Sequence, residues 1–222
     1  MNRVINTSIV AAAAAATSGS AFGAIAHITA DNHYALYTGS ETNAFMVGHG
    51  ELHAGGDPGR YNWSEAEEWR FVPGDYIYIA AWSDDAVAQG LLADFTINGE
   101  KFFTGDDRWE VYATGVDIDT GGAAPDVGLM GEHLLRANDR GWSTPFVGGH
   151  NGVAPWRTIG NVSELARWTW AEQPEPGMDT INGGADYDEF LIFRTYVPTP
   201  GMLTISAAAG LLVLRRKPHG RD

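Results

Sequence analysis

The chain has 222 residues, no cysteine, and 28 Asp and Glu against 14 Lys and Arg, a net charge of −14 at pH 7. With two end segments set aside it suits one domain of about 170 residues, large enough to bury a core without disulfides. Five basic residues and one acidic residue lie in residues 1–26 and 198–222, so the domain between carries 9 against 27, a net of −18, which excludes nucleic acid and anionic lipid as partners because phosphate recognition needs cationic patches.

The N-terminus has a secretory build. Arg3 supplies a positive start, residues 9–16 form a short alanine-rich apolar run, and small residues follow, with cleavage expected after Gly23 or after Ala26. Residues 1–26 therefore read as a signal peptide, too short in its apolar part to span a membrane. The domain is expected to cover residues 27–197. In its opening, residues 28–37, Tyr34, Leu36 and their alternates read as a strand with Asp31-Asn32 as the turn before it, and residues 44–48 read as a second strand. Residues 49–62, rich in glycine, read as a long loop. In residues 63–72, Trp69 and Phe71 alternate as in a strand, in competition with a helical cap at Ser64 and Glu67.

The densest signal is residues 73–99. Pro73-Gly74 is a turn, and Tyr76, Tyr78, Ala80 and Trp82 then alternate with Ile77, Ile79 and Ala81. Both faces of this strand are apolar, so it belongs in the middle of a sheet that is covered on both sides. Residues 91–97 repeat the pattern with Asp94 as the single charge, and Asn98-Gly99 is a tight-turn signal into a further strand. Beyond it, Trp109 and Val111 mark another strand, residues 114–131 read as irregular, and residues 132–138 as one or two helical turns. Residues 141–155 read as a loop, with strands at Trp168 to Trp170 and over residues 189–197. Many short strands with little helix predict an all-β antiparallel sandwich, with residues 189–197 paired to residues 28–37.

The ordered series Asp31-Asn32-His33-Tyr34-Ala35-Leu36-Tyr37, Val47-Gly48, Val72-Pro73-Gly74-Asp75, Ile79-Ala80-Ala81-Trp82-Ser83-Asp84, Gly90-Leu91-Leu92-Ala93 and Gly105-Asp106-Asp107-Arg108-Trp109 resembles the galactose-binding-like jelly roll of secreted bacterial proteins. The resemblance covers residues 28–112 and implies a sandwich fold that often binds sugars or polymers. After Val197-Pro198-Thr199-Pro200-Gly201 comes an apolar run, residues 202–214, and then Arg215-Arg216-Lys217. This order resembles a PEP-CTERM sorting signal in its Val-Pro-Thr-Pro-Gly variant, with Thr199 where the commonest version has glutamate. The resemblance implies an exosortase-like membrane protease or transpeptidase as a partner. The run of 13 residues is shorter than the roughly 20 that cross a bilayer, and its basic end favours the cytoplasmic side. A plain amphipathic tail is the competing reading of residues 198–222.

Chemistry in the domain is sparse. Of three acidic pairs in turns, Asp31-Asn32, Asp84-Asp85 and Asp106-Asp107, the middle one is the candidate calcium site, because hard cations take carboxylate oxygens from loops. Turns also favour Asp and Asn for local backbone reasons. His33, His49, His53 and His150 are weaker metal candidates, and no His-Glu-x-x-His, nucleophile elbow or phosphate loop occurs. Of eight tryptophans, Trp82, Trp109, Trp168 and Trp170 sit in strand patterns and read as core. Trp63, Trp142 and Trp156 flank loops and are the candidates for stacking on a sugar face, with burial as the alternative. The chain is thus expected to be a non-catalytic exported protein of the cell surface or extracellular matrix, with extracellular polysaccharide as its candidate ligand. The alternative is a secreted polysaccharide hydrolase, which would need two facing carboxylates in a cleft.

Overall fold

The computed structural model describes residues 23–50, 63–83, 88–118, 123–172 and 189–197. Its elements run β1 (Ala24–Asp31), β2 (His33–Gly39), β3 (Ala44–His49), β4 (Glu67–Phe71), β5 (Tyr76–Trp82), β6 (Gly90–Ile97), β7 (Glu100–Phe103), β8 (Glu110–Ala113), α1 (Val127–Arg140), β9 (Phe146–His150), β10 (Arg167–Trp170) and β11 (Leu191–Tyr196). They form two antiparallel sheets. The first has the order β4-β1-β6-β10-β9, with β7 sharing one edge of β6, and the second the order β3-β2-β5-β11-β8.

Strand β5 is the centre of the second sheet, as its two apolar faces require. Ile77, Ile79 and Ala81 pack between the sheets with Ile28, Leu36, Phe95, Trp109, Trp168 and Phe193. Tyr78, Ala80 and Trp82 point the other way, into a second buried cluster that includes Met130 and Leu134 of α1 and Phe190. The first sheet needs no such cover. Its outward positions include His27, Glu68 and Asp94, a polar row aligned across β1, β4 and β6. The β6–β7 hairpin turns at Asn98 (φ 53°) and Gly99 (φ 83°), the paired positive angles that an Asn-Gly turn supplies.

Four expectations are corrected. Residues 28–37 are not one pairing unit: β2 follows the expected Asp31-Asn32 turn, but residues before the turn belong to β1 in the first sheet while β2 lies in the second, and the chain changes sheets at Asn32. The last strand does not pair with either of them. β11 sits between β5 and β8, and β5 separates it from β2. Leu191, Ile192 and Phe193 are all buried, so β11 needs a neighbour on each edge and cover on each face, which a place beside β5 provides. The helix is longer than one or two turns. Asp126 caps it, its Oδ1 accepting from the Leu129 N–H at 2.8 Å, and Gly141 (φ 103°) ends it. Residues 146–150, inside the stretch 141–155 read as a loop, form an edge strand. Strand β1 begins at Ala24, with Ala24 and Ala26 buried and paired on both edges.

Candidate functional site

Strand alternation and register put one charge among a group of rings on the outer face of the second sheet, beside α1. Cross-strand pairing sets Tyr196 opposite Tyr76, and Arg194 opposite Tyr78 on one side and Glu110 on the other. Arg194 is held from several directions. Its Nε donates to Glu110 Oε2 at 2.7 Å, its Nη1 donates to Asn138 Oδ1 at 3.0 Å, and its guanidinium lies 3.9 Å from the centre of the Trp142 ring. Trp142 Nε1 donates to the same Asn138 oxygen at 2.9 Å, and Asn138 Nδ2 donates to the Glu41 carbonyl. The Arg194 side chain is largely buried, whereas that of Glu110 is about half exposed.

Around this fixed cation, Tyr76 packs edge-on to Tyr196 at 5.4 Å and stacks with Tyr78 at 5.8 Å. The guanidinium is 5.3 Å from the Tyr76 ring centre. Tyr78 donates to the Ser40 carbonyl at 2.6 Å, and burial pushes its hydroxyl well above the ordinary tyrosine range. It is therefore a neutral structural donor. Tyr196 differs from the rest: 53% of it is exposed. The patch thus offers an open aromatic ring, a second ring edge-on to it, and an immobilised guanidinium with a half-exposed carboxylate beside it. Rings of this kind have an apolar body with a polar tip, and they lose little entropy on contact.

The three tryptophans expected to stack on sugar do not come together. Trp142 belongs to this patch, but the Arg194 guanidinium covers one face of it. Trp63 is half-buried against the core between the sheets, on the other side of the second sheet from Trp142. Trp156 is 3% exposed and stacks on Trp168 with centroids 3.9 Å apart. Gly90 makes room for that pair, since a Cβ there would lie 2.7 Å from the Trp168 ring. Trp156 Nε1 donates to Asp31 Oδ2 at 2.6 Å, so this indole supports a buried carboxylate. Among the described residues the exposed rings, Tyr196 and Phe45, sit in strands and were missed. Tyr196 alternates outward from buried Thr195, and this was the only signal that could have found it.

The polar residues of the β1–β2 corner gather at the opposite end of the sandwich from Tyr196. Asn32 Nδ2 donates to Asp31 Oδ1 at 2.9 Å, Ser83 donates to Asn32 Oδ1 at 3.3 Å, and His33 stacks on Trp82 at 5.1 Å. The candidate calcium residues Asp84 and Asp85 lie outside the described residues, as does His53. Among the described residues no group of three or more His, Asp and Glu is placed to hold a metal ion. Asp106 serves its turn, its Oδ2 accepting from the Phe103 N–H. The carboxylates of Asp94 and Glu68 both meet His27, at 2.8 Å and 3.4 Å, and Asp94 also accepts from the Ser163 N–H.

The chain enters and leaves at one end of the sandwich. Ala24 pairs with Phe71, and buried Val197 donates its N–H to the Asp75 carbonyl at 2.8 Å. The remaining residues of the expected sorting motif, Pro198, Thr199, Pro200, Gly201, Arg215 and Arg216, lie outside the described residues. Among the described residues no helix is long and apolar enough to cross a membrane. No protein-family model, curated protein or solved structure matches the chain, so the functional reading rests on the site itself.

Proposed function

We propose that this chain is a non-catalytic, exported β-sandwich of the galactose-binding-like kind that binds carbohydrate at the Tyr196–Tyr76–Arg194–Trp142 patch. The observation that carries the reading is the open Tyr196 ring next to a guanidinium immobilised by Glu110, Asn138 and Trp142. The C–H face of a pyranose is apolar and stacks on an aromatic ring, while its hydroxyls take hydrogen bonds from fixed polar groups at the rim. Preorganisation favours such a site, because Arg194 loses no further rotamer freedom on binding. One accessible ring makes a weak site, suited to repeated units of a polymer and avidity from many copies.

Export follows from the signal-peptide reading of the N-terminal segment, with cleavage after Gly23. Residues 198–222 are proposed to be a sorting signal read by an exosortase-like membrane enzyme, which places the domain in the cell envelope, on the surface or in the matrix of a bacterium. Entry and exit at one end of the sandwich support a domain tethered at that end.

A glycan array probed with residues 24–197, alongside Tyr196→Ala, tests the binding. At least one polysaccharide class should be retained by the parent protein and lost by the variant, with melting temperature unchanged. Equal retention by the variant, or no retention by either protein, overturns the assignment. Intact mass of protein recovered from the native cell surface tests the sorting. A species lacking residues 202–222 is expected, and one that still carries residues 211–216 refutes it.

A further inference from the structure

At the end where the chain leaves the domain, a cleft of about 460 Å³ opens between the β2–β3 hairpin and the β4–β5 connection. Gly39, Asn43 and Phe45 form one side, and Val72, Pro73 and Asp75 the other. Phe45 is 66% exposed and Val72 72% exposed, two of the three most exposed large apolar side chains among the described residues. Two large apolar side chains left open across one cleft give an incoming apolar segment surface to bury.

We propose that this cleft receives the start of the chain's own apolar run, residues 202–205 (Met-Leu-Thr-Ile), before any removal of the tail. Three features of the molecule select this occupant over another protein. The first is the exit point: Val197 is bonded through its N–H to the carbonyl of Asp75, which itself lines the cleft. The second is reach. From β11 across β5 and β2 to β3 is three strand spacings, about 14 Å at the usual separation. Five residue steps from Val197 to Met202 span about 16 Å when extended. Pro198 and Pro200 favour that extended form, since each fixes its own φ and biases the preceding residue away from helix. The third is chemistry, because the run is the longest apolar stretch beyond Val197 and the side chains that open the cleft are apolar.

The docking is independent of the carbohydrate reading and of whether the tail is a sorting signal. Its consequence is that an apolar segment too short to hold a bilayer alone begins against the domain instead of in water. The Pro-Thr-Pro-Gly segment is then stretched across the surface between two fixed points.

The absence of cysteine makes the test direct. In the full chain, Val72→Cys with Leu203→Cys is oxidised at low protein concentration, with Leu165→Cys and Leu203→Cys as the comparison pair. Leu165 is equally exposed and lies in the connection to β10 of the first sheet. The disulfide between the introduced cysteines at positions 72 and 203 should form within one chain at least about tenfold faster than in the comparison pair, as expected when docking raises the local concentration above that of a free tether. Adding Phe45→Asp to the first pair should slow it to the comparison rate. Equal rates in the two pairs, a rate indifferent to Phe45→Asp, or disulfides formed only between chains would overturn the proposal. A Phe45→Cys pair with Leu203→Cys repeats the measurement should the Val72 variant fail to fold.

Discussion

Replacing His133 with leucine should stabilise this protein, and more so in acid. His133 is fully buried on the inner side of α1, with the Phe190 ring edge-on at 5.1 Å and the Tyr112 ring at 6.4 Å. Among the described residues neither ring nitrogen has a hydrogen-bond partner, and the neighbouring Tyr112 hydroxyl lacks one too. A buried polar atom left unpaired costs about 1–3 kcal/mol, and an apolar side chain of similar volume removes that cost. His133→Leu should therefore gain about 1–3 kcal/mol at neutral pH, or about 2–4 °C in melting temperature per kcal/mol for a domain of this size.

The pH dependence has a definite sign. Desolvation is the main cause that holds the His133 imidazole below its ordinary value of 6.5; the Arg136 cation pushes the same way and Glu132 opposes it. The folded state keeps the ring neutral while the unfolded chain takes up a proton. Stability is thus full above pH 6.5 and falls as pH drops below it, by up to about 1.4 kcal/mol per pH unit. Thermal melts of parent and variant at pH 7.5 and 5.0 read both effects. The gap between them should widen by as much as about 2 kcal/mol at pH 5.0. A variant that melts below the parent at pH 7.5, or a gap that does not grow in acid, would refute the reasoning, and would show that the ring nitrogens are satisfied.

Trp82→Ala should cost about 3–5 kcal/mol through the cavity left in the outer cluster of the second sheet, since Trp82 is 3% exposed and stacks on His33; an unchanged urea midpoint would place the indole in solvent. Trp156→Phe keeps the stack on Trp168 and deletes the donor to Asp31, for an expected loss of about 1–3 kcal/mol in denaturant titration, and a variant as stable as the parent would mean that Asp31 does not depend on the indole. The exported protein should begin at Ala24, because cleavage after Ala26 would strip β1 of the residues that pair with Phe71, Arg70 and Trp69 on one edge and Ile97, Thr96 and Phe95 on the other. N-terminal sequencing that finds His27 first would contradict this.

Local pattern alone determined the all-β sandwich class, the central place of Tyr76–Trp82, the Asn98-Gly99 turn and the burial of Trp82, Trp109, Trp168 and Trp170. Each depends on alternation or turn chemistry within a few residues, which the order of residue types records directly. The helix could have been read further: Asp126 stands where a cap belongs, but Gly128 and Gly131 weaken the helical pattern after it. The change of sheet at Asn32 and the place of β11 beside β5 were settled only by the tertiary structure. Many pairings satisfy the same alternation, and the one adopted depends on burying both faces of two strands at once. The patch around Arg194 belongs to that second kind. Glu110, Asn138, Trp142 and Tyr196 come from β8, α1, the segment after it and β11. What joins them is the register of β11 between β5 and β8, a long-range choice that spacing along the chain does not encode.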